Sequence, residues 1–294
     1  GPRLLVAAGL AVPRESGTGC YDRFRNRLMF PILDAGGKVI AFGGRALSAE
    51  EPAKYLNSAE SVAFDKSATL YALNWAREAI TRSGQAVVVE GYLDALIPLQ
   101  AGVGNVVATL GTALSERHVR VLARYARQVV LVFDPDVAGA AAAERALEVF
   151  LAQRLDVRVA SIPGAGDPCD FVLAEGAEAF ATLVAQAPDA IRHAWARRQK
   201  ELAAAGDDLA ERARVVDEFL RLIVSSAAWG AIDGVRQAQL AQHIAHLLNV
   251  PAGQLQQQMR RLARRVPARA GACPGRPRPP PPWATLGGNC WRCS

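Results

Sequence analysis

Apolar positions follow a different spacing in each third of this chain, and each spacing predicts a different kind of structure. Between residues 85 and 165, short β-branched runs at 87–89 and 129–133 alternate with stretches of helical spacing. Continuous apolar runs of this length are typical of buried parallel strands, joined by helices through short turns. The middle third therefore predicts a parallel sheet with helices on both faces. The predicted helices are 92–101, 115–126 and 140–153, and the further strands are NVVATL and VRVASIP.

The residues before and after this segment follow other patterns. Residues 21–84 mix short strand-like runs with glycine turns, and RLMFPILDAGGKVIAFGGRAL predicts a hairpin that turns at Gly36-Gly37 and is closed by Gly43-Gly44. Residues 67–82 have helical spacing. From about 175 to 265 the spacing is helical throughout, with one break at 249–251.

These patterns divide the chain into four parts. We predict a mixed α/β subdomain over 1–84, an α/β domain over 85–167, a helical bundle over 168–265 and a disordered tail over 266–294. The tail has seven prolines by Pro282, four of them consecutive, and no apolar periodicity. The chain begins with Gly rather than Met, so we expect a fragment whose upstream part is missing.

Composition excludes some classes of protein and favours others weakly. Hydrophobic residues make up 51% and charged residues 21%, as in globular proteins, and no apolar run approaches the length of a membrane helix. The net charge of +6 is weak support for nucleic-acid binding, because the tail carries four basic residues and no acidic ones. Five cysteines without a repeating spacing favour a reducing, cytoplasmic location. Cys290 and Cys293 form a C-x-x-C without a second pair, so zinc is not expected.

Carboxylates follow two of the apolar runs directly. Glu90 ends VVVE, and Asp134 and Asp136 follow the run that ends at Phe133. Because ligands bind at the carboxyl edge of parallel sheets, we expect these three side chains to meet there. Carboxylates that lie so near one another repel unless a cation lies between them, and Mg²⁺ prefers such oxygen ligands. The sequence therefore predicts a magnesium site, with Mn²⁺ as an alternative ion.

A longer series of motifs carries a family resemblance. The motifs YDRFRNRLMFPI, AFGGR, KYLNS, FDKSATLYAL, VVEGYLDAL, ATLGTAL, FDPDVAGAAAAERAL and GDPCDF occur in this order between Tyr21 and Phe171. This series closely resembles the RNA polymerase core of bacterial DnaG-type DNA primase, which contains a TOPRIM domain. The zinc-binding module and the helicase-binding domain of that family are not recognisable in the chain.

The resemblance implies roles for the acidic residues. Glu90, Asp134 and Asp136 match the catalytic, metal-binding triad of the family, and Asp94 and Asp167 match further acidic positions of the same site. The chain departs from the family at Cys169, where many relatives have Asp. Asp170 is then either a substitute ligand or a helix N-cap. A thiol suits Mg²⁺ poorly, so we expect Cys169 to point away or to pack as a small apolar group.

Basic residues of the first subdomain are the candidate nucleic-acid and nucleotide ligands. In an extended segment Arg23, Arg25 and Arg27 would share one face, as a phosphate-binding strip requires. Arg45, Lys54 and Lys66 match basic positions that line the template and nucleotide groove in the family, whereas Tyr55 and Asn57 could equally serve packing and a turn. The histidines at 118, 193, 243 and 246 lack ligand-type spacing, and we expect them at the surface.

The function that the resemblance implies is synthesis of short RNA primers on single-stranded DNA by metal-assisted nucleotidyl transfer. Partners would be the single-stranded DNA template, ribonucleoside triphosphates and the RNA primer, with the replicative helicase and single-strand binding protein for the full-length family. No membrane is involved in this function. Two alternatives remain open, a TOPRIM nuclease or topoisomerase-like enzyme and an inactive nucleic-acid-binding remnant of a primase.

Overall fold

The structure is a computed structural model, and it describes residues 1–15, 17–133, 155–164, 166–225, 229 and 232–265. The predicted helix at 140–153, the proline-rich tail at 266–294 and the C-x-x-C pair lie outside the described residues. In the described part of the chain, no helix is both long and apolar enough to cross a membrane.

The first subdomain is a small antiparallel sheet with a two-stranded ribbon beside it. The hairpin predicted around Gly36-Gly37 is present, with β3 paired to β4 and β4 paired to β5. Gly43 and Gly44 lie inside β4 and do not close the hairpin, so that detail of the prediction is wrong. The elements are α1 (Pro2–Ala7), β1 (Ala11–Pro13), β2 (Cys20–Asp22), β3 (Arg27–Leu33), β4 (Val39–Ala46) and β5 (Tyr55–Asn57).

The glycines at these two positions leave room for side chains from other elements. A Cβ atom on Gly43 would overlap the phenol oxygen of Tyr92, and one on Gly44 would lie 2.9 Å from a ring carbon of Phe24. A glycine inside a strand commonly marks such a close approach. The sequence pattern was therefore explained by tertiary packing and not by a turn.

The middle of the chain forms the predicted parallel sheet. Its four strands are in the order β7-β6-β8-β9, and all three pairings are parallel. The helix predicted from residue 67 begins only at Leu73, because the residues before it form a loop. The elements are α2 (Leu73–Ser83), β6 (Gln85–Val89), α3 (Tyr92–Gln100), β7 (Val106–Ala108), α4 (Glu116–Leu122), β8 (Gln128–Phe133) and β9 (Asp156–Ser161).

The last third of the described chain is helical, as predicted. Asn249 takes a left-handed conformation (φ 54°) and ends one helix, and the next begins just beyond Pro251, which produces the predicted break. The elements are α5 (Pro168–Ala185), α6 (Ala190–Ala204), α7 (Leu209–Ser225), α8 (Gly234–Leu248) and α9 (Ala252–Arg265).

Two apolar cores cover the two faces of the parallel sheet. One contains Val88 and Leu131 and joins the sheet to α2, α4 and the helices α6–α9. The other contains Val89 and Val130 and joins it to α3, α5 and the antiparallel sheet. Helix α5 thus packs on the TOPRIM-like sheet through Phe180, although it was predicted to belong to the helical bundle. This packing brings the start of α5 to the edge of the sheet where the antiparallel sheet also lies.

Candidate active site

Glu90 lies where the central strand of the parallel sheet ends. It follows the buried Val89 directly and is exposed. Strand β8 runs parallel to β6 with Val88 opposite Leu131, so both strands end at the same edge of the sheet. Asp134 and Asp136 come next in the chain after β8 and lie outside the described residues. The described residues therefore place Glu90 at the predicted edge, and the joint position of the triad stays a prediction.

Asp94 is fixed by the start of helix α3. Its Oδ2 atom accepts a hydrogen bond of 2.9 Å from the backbone N–H of Gly91, one turn earlier. A Cβ atom on residue 91 would lie 2.5 Å from that oxygen. A side chain at position 91 would therefore displace the Asp94 carboxylate from this position. The helix N-terminus also favours the negative charge of Asp94.

The first turn of α5 brings a second acidic group to the site. Asp167 is the N-cap of this helix, since its Oδ1 atom accepts the backbone N–H of Asp170 at 2.8 Å. The carboxylate oxygens of Asp167 and Asp170 and the sulfur of Cys169 lie within 4.8 Å of one another. The N-cap is therefore Asp167, whereas the sequence had suggested Asp170 for that role.

Cys169 is buried, in agreement with the expected packing, but its sulfur lies beside the carboxylates and does not point away from them. Burial raises the pKa of the Cys169 thiol, and the negative charges of Asp167 and Asp94 raise it further. The neutral thiol is therefore the favoured form at pH 7. A neutral, buried thiol is a poor ligand for a hard cation.

The antiparallel sheet supplies the side of the site that faces these carboxylates. The guanidinium of Arg45 on β4 lies over the ring of Tyr55 on β5, 5.9 Å from its centroid. Desolvation raises the pKa of the Tyr55 phenol, Arg45 opposes that shift, and the charges of Asp94 and Asp167 reinforce it. Tyr55 thus lies within electrostatic reach of the acidic residues from both helix starts, and Arg45 lies beside Tyr55.

Asn57 joins the two sheets, a role that the sequence did not reveal. Its Oδ1 atom accepts the phenol O–H of Tyr92 at 2.7 Å, and its Nδ2 atom donates to the carbonyl of Leu110 at 2.9 Å. Tyr92 is buried against Phe30 and Tyr71, and desolvation raises the pKa of its phenol. The end of β5 is therefore held at the carboxyl edge of the parallel sheet. The sequence showed Asn57 only as part of the motif KYLNS, where its role was left open between packing and a turn.

The three arginines of the first segment are arranged differently from the predicted strip. Asn26 takes a left-handed conformation (φ 52°), so residues 23–27 do not form one extended strand. Arg23, Arg25 and Arg27 nevertheless line the same open groove of about 380 Å³. The shared groove arises from the fold of the surrounding loop and not from strand alternation.

Arg25 is the most exposed of these three arginines. Arg23 donates through Nε and Nη2 to the carbonyl of Asn57, at 3.1 and 2.9 Å. The side chain of Arg27 is 5% exposed and is bound to the carbonyl of Ala53 at 2.8 Å and to Glu51 at 3.5 Å. Arg25 is exposed and lies over the ring of Tyr21. Arg25 is therefore the arginine of the three that can reach a phosphate without giving up an internal hydrogen bond.

The two candidate lysines lie on either side of this region. Lys54 is exposed immediately before β5, and Lys66 is half-buried in the loop before α2. Within the described residues, neither ammonium group has a hydrogen-bond or ion-pair partner. Both charges are therefore available to an anionic ligand.

The expectation of surface histidines is wrong for His118. This side chain is completely buried at the start of α4, and both of its ring nitrogens are hydrogen-bonded to backbone groups of the protein. His243 also has a partner, Asp189 at 3.2 Å, which links α8 to the start of α6. Sequence spacing could not reveal either contact, since the partners are 52 and 54 residues away.

Comparison with known proteins identifies the family. Residues 2–77 match the family described as the DNA primase catalytic core, N-terminal domain, and residues 87–172 match a Toprim-like family. The chain is 46% identical over 191 residues to the DNA primase of Synechococcus elongatus, which covers 63% of this chain. It superposes on the crystal structure of a DNA primase domain from Pseudomonas aeruginosa with a TM-score of 0.75 and 34% identity, over 89% of this chain and 79% of that one. The chain belongs to the DnaG-type DNA primase family.

A solved structure of the family also contains nucleic acid. A DnaG primase catalytic domain bound to single-stranded DNA matches with a TM-score of 0.65 and 35% identity, over 76% of this chain and 72% of that one. The chain spans 27% of the length of the Synechococcus elongatus primase. The comparisons therefore place it within the catalytic core of the longer primases.

The donors of the site suit a divalent metal ion. The match to a Toprim-like family and the group formed by Asp167, Cys169 and Asp170 both indicate divalent-metal binding. Carboxylate oxygens, which hard cations prefer, outnumber the single thiol in this group. Asp167 keeps one carboxylate oxygen that the helix cap does not use. The residues present therefore fit the group that the family implies.

Proposed function

We propose that this chain catalyses template-directed synthesis of short RNA primers on single-stranded DNA. The observation that carries the proposal is that acidic and basic side chains lie on two sides of one site. We call Glu90, Asp94 and Asp167 the acidic wall, and the antiparallel sheet with the basic residues of the first subdomain the basic wall. Asp94 and Asp167, at two helix starts, lie within electrostatic reach of Tyr55 on the antiparallel sheet, and the guanidinium of Arg45 lies over the Tyr55 ring. Acidic residues that can bind cations and basic residues that can bind phosphates are what nucleotidyl transfer requires.

The proposed metal is Mg²⁺, with Mn²⁺ as an alternative, and its proposed ligands are Glu90, Asp94, Asp134, Asp136 and Asp167. When bound, the ion supplies Lewis-acid chemistry: it lowers the pKa of the primer 3′-hydroxyl and offsets charge on the triphosphate. The protein's own contribution is to hold the carboxylates in place. The hydrogen bonds from Gly91 to Asp94 and from Asp170 to Asp167 do this before any substrate binds.

The basic wall would hold the nucleotide and the template. Arg45, Lys54 and Lys66 are proposed to bind the triphosphate, where Lys54 and Lys66 have no competing ion pair in the described part of the chain. The 3′-hydroxyl of the primer attacks the α-phosphorus of the incoming nucleotide, and pyrophosphate leaves. No protein nucleophile is needed, so positioning and electrostatic stabilisation supply the catalysis.

The groove lined by Arg23, Arg25 and Arg27 is the proposed binding site for single-stranded DNA. A related catalytic domain has been solved bound to such DNA, which supports this choice of template. Arg25 would contact phosphates, and Tyr21 beside it offers an aromatic ring on which a base can stack. In the complete protein we propose that the replicative helicase and single-strand binding protein are further partners, at the replication fork in the cytoplasm.

A primer-synthesis assay tests the proposed function. The chain is incubated with a single-stranded DNA template, labelled ribonucleoside triphosphates and Mg²⁺, and the products are sized. We expect short RNA products that disappear in the Asp134→Asn variant. Cleavage of the template would favour a TOPRIM nuclease. Binding of DNA without synthesis or cleavage would show an inactive remnant.

A further inference from the structure

The loop before α2 is bound at three consecutive residues by the first turn of α4. We call residues 65–67 the 65–67 segment. The contacts are from Ser115 Oγ to the carbonyl of Ser67 (2.5 Å), from His118 Nε2 to the carbonyl of Lys66 (2.7 Å) and from Arg117 to the carboxylate of Asp65. The residues in contact are about 50 positions apart in the chain, so this arrangement is tertiary. It fixes the backbone on both sides of the Lys66 side chain.

His118 lies at the centre of this arrangement, and its two contacts fit the neutral imidazole with the proton on Nε2. It is 0% exposed. The carbonyl of Lys66 can only accept a hydrogen bond, so Nε2 carries the proton. Nδ1 then accepts the backbone N–H of Ser115 at 3.2 Å. The neutral imidazole with its proton on Nε2 satisfies both contacts. In the imidazolium, Nδ1 would also carry a proton, and its N–H would point at the N–H of Ser115.

The fold places this arrangement at the edge of the sheet where the acidic residues lie. Helix α4 follows strand β7, and the helix after a parallel strand begins at the carboxyl edge of the sheet. The carbonyl of Leu110, between β7 and α4, is bound by Asn57 of the opposite wall. The start of α4, and with it the backbone of residues 65–67, therefore lies at the edge that carries Glu90 and Asp94.

We propose that His118 is a positioning residue, which holds the backbone of Lys66 so that the lysine ammonium meets the phosphates of the incoming nucleotide. This inference rests on the proposed function, in which Lys66 binds the triphosphate. It assigns His118 no contact with the substrate. Its effect on the reaction passes entirely through Lys66.

The charged surroundings of His118 give the contact a pH dependence. Burial lowers the pKa of the imidazole below 6.5 and Arg117 lowers it further, while the carbonyls of Lys66 and Thr69 and the charge of Asp65 oppose the shift. The neutral form is therefore favoured above pH 6.5. As the pH falls through the pKa of the folded state, protonation breaks the contact to Ser115, and the Lys66 backbone is released.

A double-mutant cycle tests the proposal. KM for ATP and kcat of primer synthesis are measured for the wild type, Lys66→Ala, His118→Leu and the double variant. We expect each single change to raise KM about tenfold, as for loss of one charge-assisted contact, with kcat nearly constant. The double variant should have the KM of Lys66→Ala alone, because His118 acts through Lys66.

Conservative and control variants separate positioning from stability. In the wild type, KM should rise at acidic pH as His118 is protonated. His118→Gln keeps a donor for the Lys66 carbonyl but cannot be protonated, so its KM should stay near the wild-type value at pH 7.5 and should not rise at acidic pH. Val119→Ala removes a buried neighbour on α4 without a polar contact to the loop. Its melting temperature should fall while KM stays constant. The proposal would be overturned if the rise in KM of the double variant were the product of the rises in Lys66→Ala and His118→Leu. It would also be overturned if Val119→Ala raised KM as much as His118→Leu does.

Failure of the proposed function is distinguishable from failure of this inference. If the wild type makes no RNA, the same four proteins are compared by equilibrium dialysis with ATP and Mg²⁺. Equal loss of ATP affinity in both single variants and in the double variant would support the positioning role without synthesis. Unchanged affinity in His118→Leu, or no ATP binding by the wild type, would refute it.

Discussion

The acidic and basic walls of the site are built in different ways. Glu90 follows a strand, and Asp94 and Asp167 lie at helix starts, where the backbone N–H of a residue three positions away holds each carboxylate. The basic wall depends on distant contacts, since Arg23 is bound to Asn57 and Arg27 to Ala53. The contacts that hold these acidic residues are therefore local in the sequence, whereas residue type and local spacing do not tell which basic residues are available to a ligand.

The largest effect should come from the acidic wall. Glu90→Gln removes a charge at the end of β6 while keeping the shape of the side chain, so we expect primer synthesis to fall by about a thousandfold or more. The measurement is kcat at saturating Mg²⁺. Glu116→Gln, at an exposed position of α4, is the matched control and should change kcat little. Near-normal synthesis by Glu90→Gln would remove Glu90 from the site.

A smaller effect separates the two aspartates at the start of α5. Asp167 both caps the helix and offers a second oxygen to the site, whereas Asp170 is exposed and contributes its backbone N–H to the cap. We expect Asp167→Ala to reduce synthesis by about a hundredfold and Asp170→Ala by only a few-fold. Mg²⁺ titrations of activity in both variants provide the measurement. The reverse ranking would show that Asp170 is the ligand.

The contrast within the basic wall predicts separate effects on binding and on stability. Arg25→Glu should weaken single-stranded DNA binding by about tenfold and make its salt dependence shallower, because an exposed phosphate contact is lost. Arg27→Met should instead lower the free energy of unfolding by about 2–4 kcal/mol, since it leaves buried carbonyls and Glu51 without their partner. Fluorescence anisotropy and urea denaturation measure the two quantities. Equal loss of stability in both variants would erase the distinction between the two arginines.

The smallest effect is expected at Cys169. Because burial raises the pKa of its thiol, the residue is neutral at pH 7 and contributes little to binding a hard cation. Cys169→Asp should therefore change the Mg²⁺ concentration for half-maximal activity by no more than about twofold, with slight tightening the expected direction. A large loss of activity in Cys169→Ser, where size is kept, would give the thiol a direct role in the site.

The sequence alone determined the type of fold and predicted where the acidic residues of the site lie. Strand and helix periodicity predicted the parallel sheet, the hairpin and the helical bundle, because these patterns reflect which residues are buried on each element. Glu90 was predicted because a charge directly after an apolar strand marks the edge of such a sheet, whereas Asp94 and Asp167 were predicted from the resemblance to the primase family.

The tertiary structure decided how the remaining polar residues are used. It showed that Arg23 and Arg27 are bound internally, that Asn57 joins the two sheets and that His118 is buried against the loop of Lys66. It also explained Gly43 by the nearby phenol of Tyr92, where the sequence had suggested a turn. The physical reason is the same in each case. A polar side chain can be bound by a group dozens of residues away, and neither its type nor its local spacing records that partner.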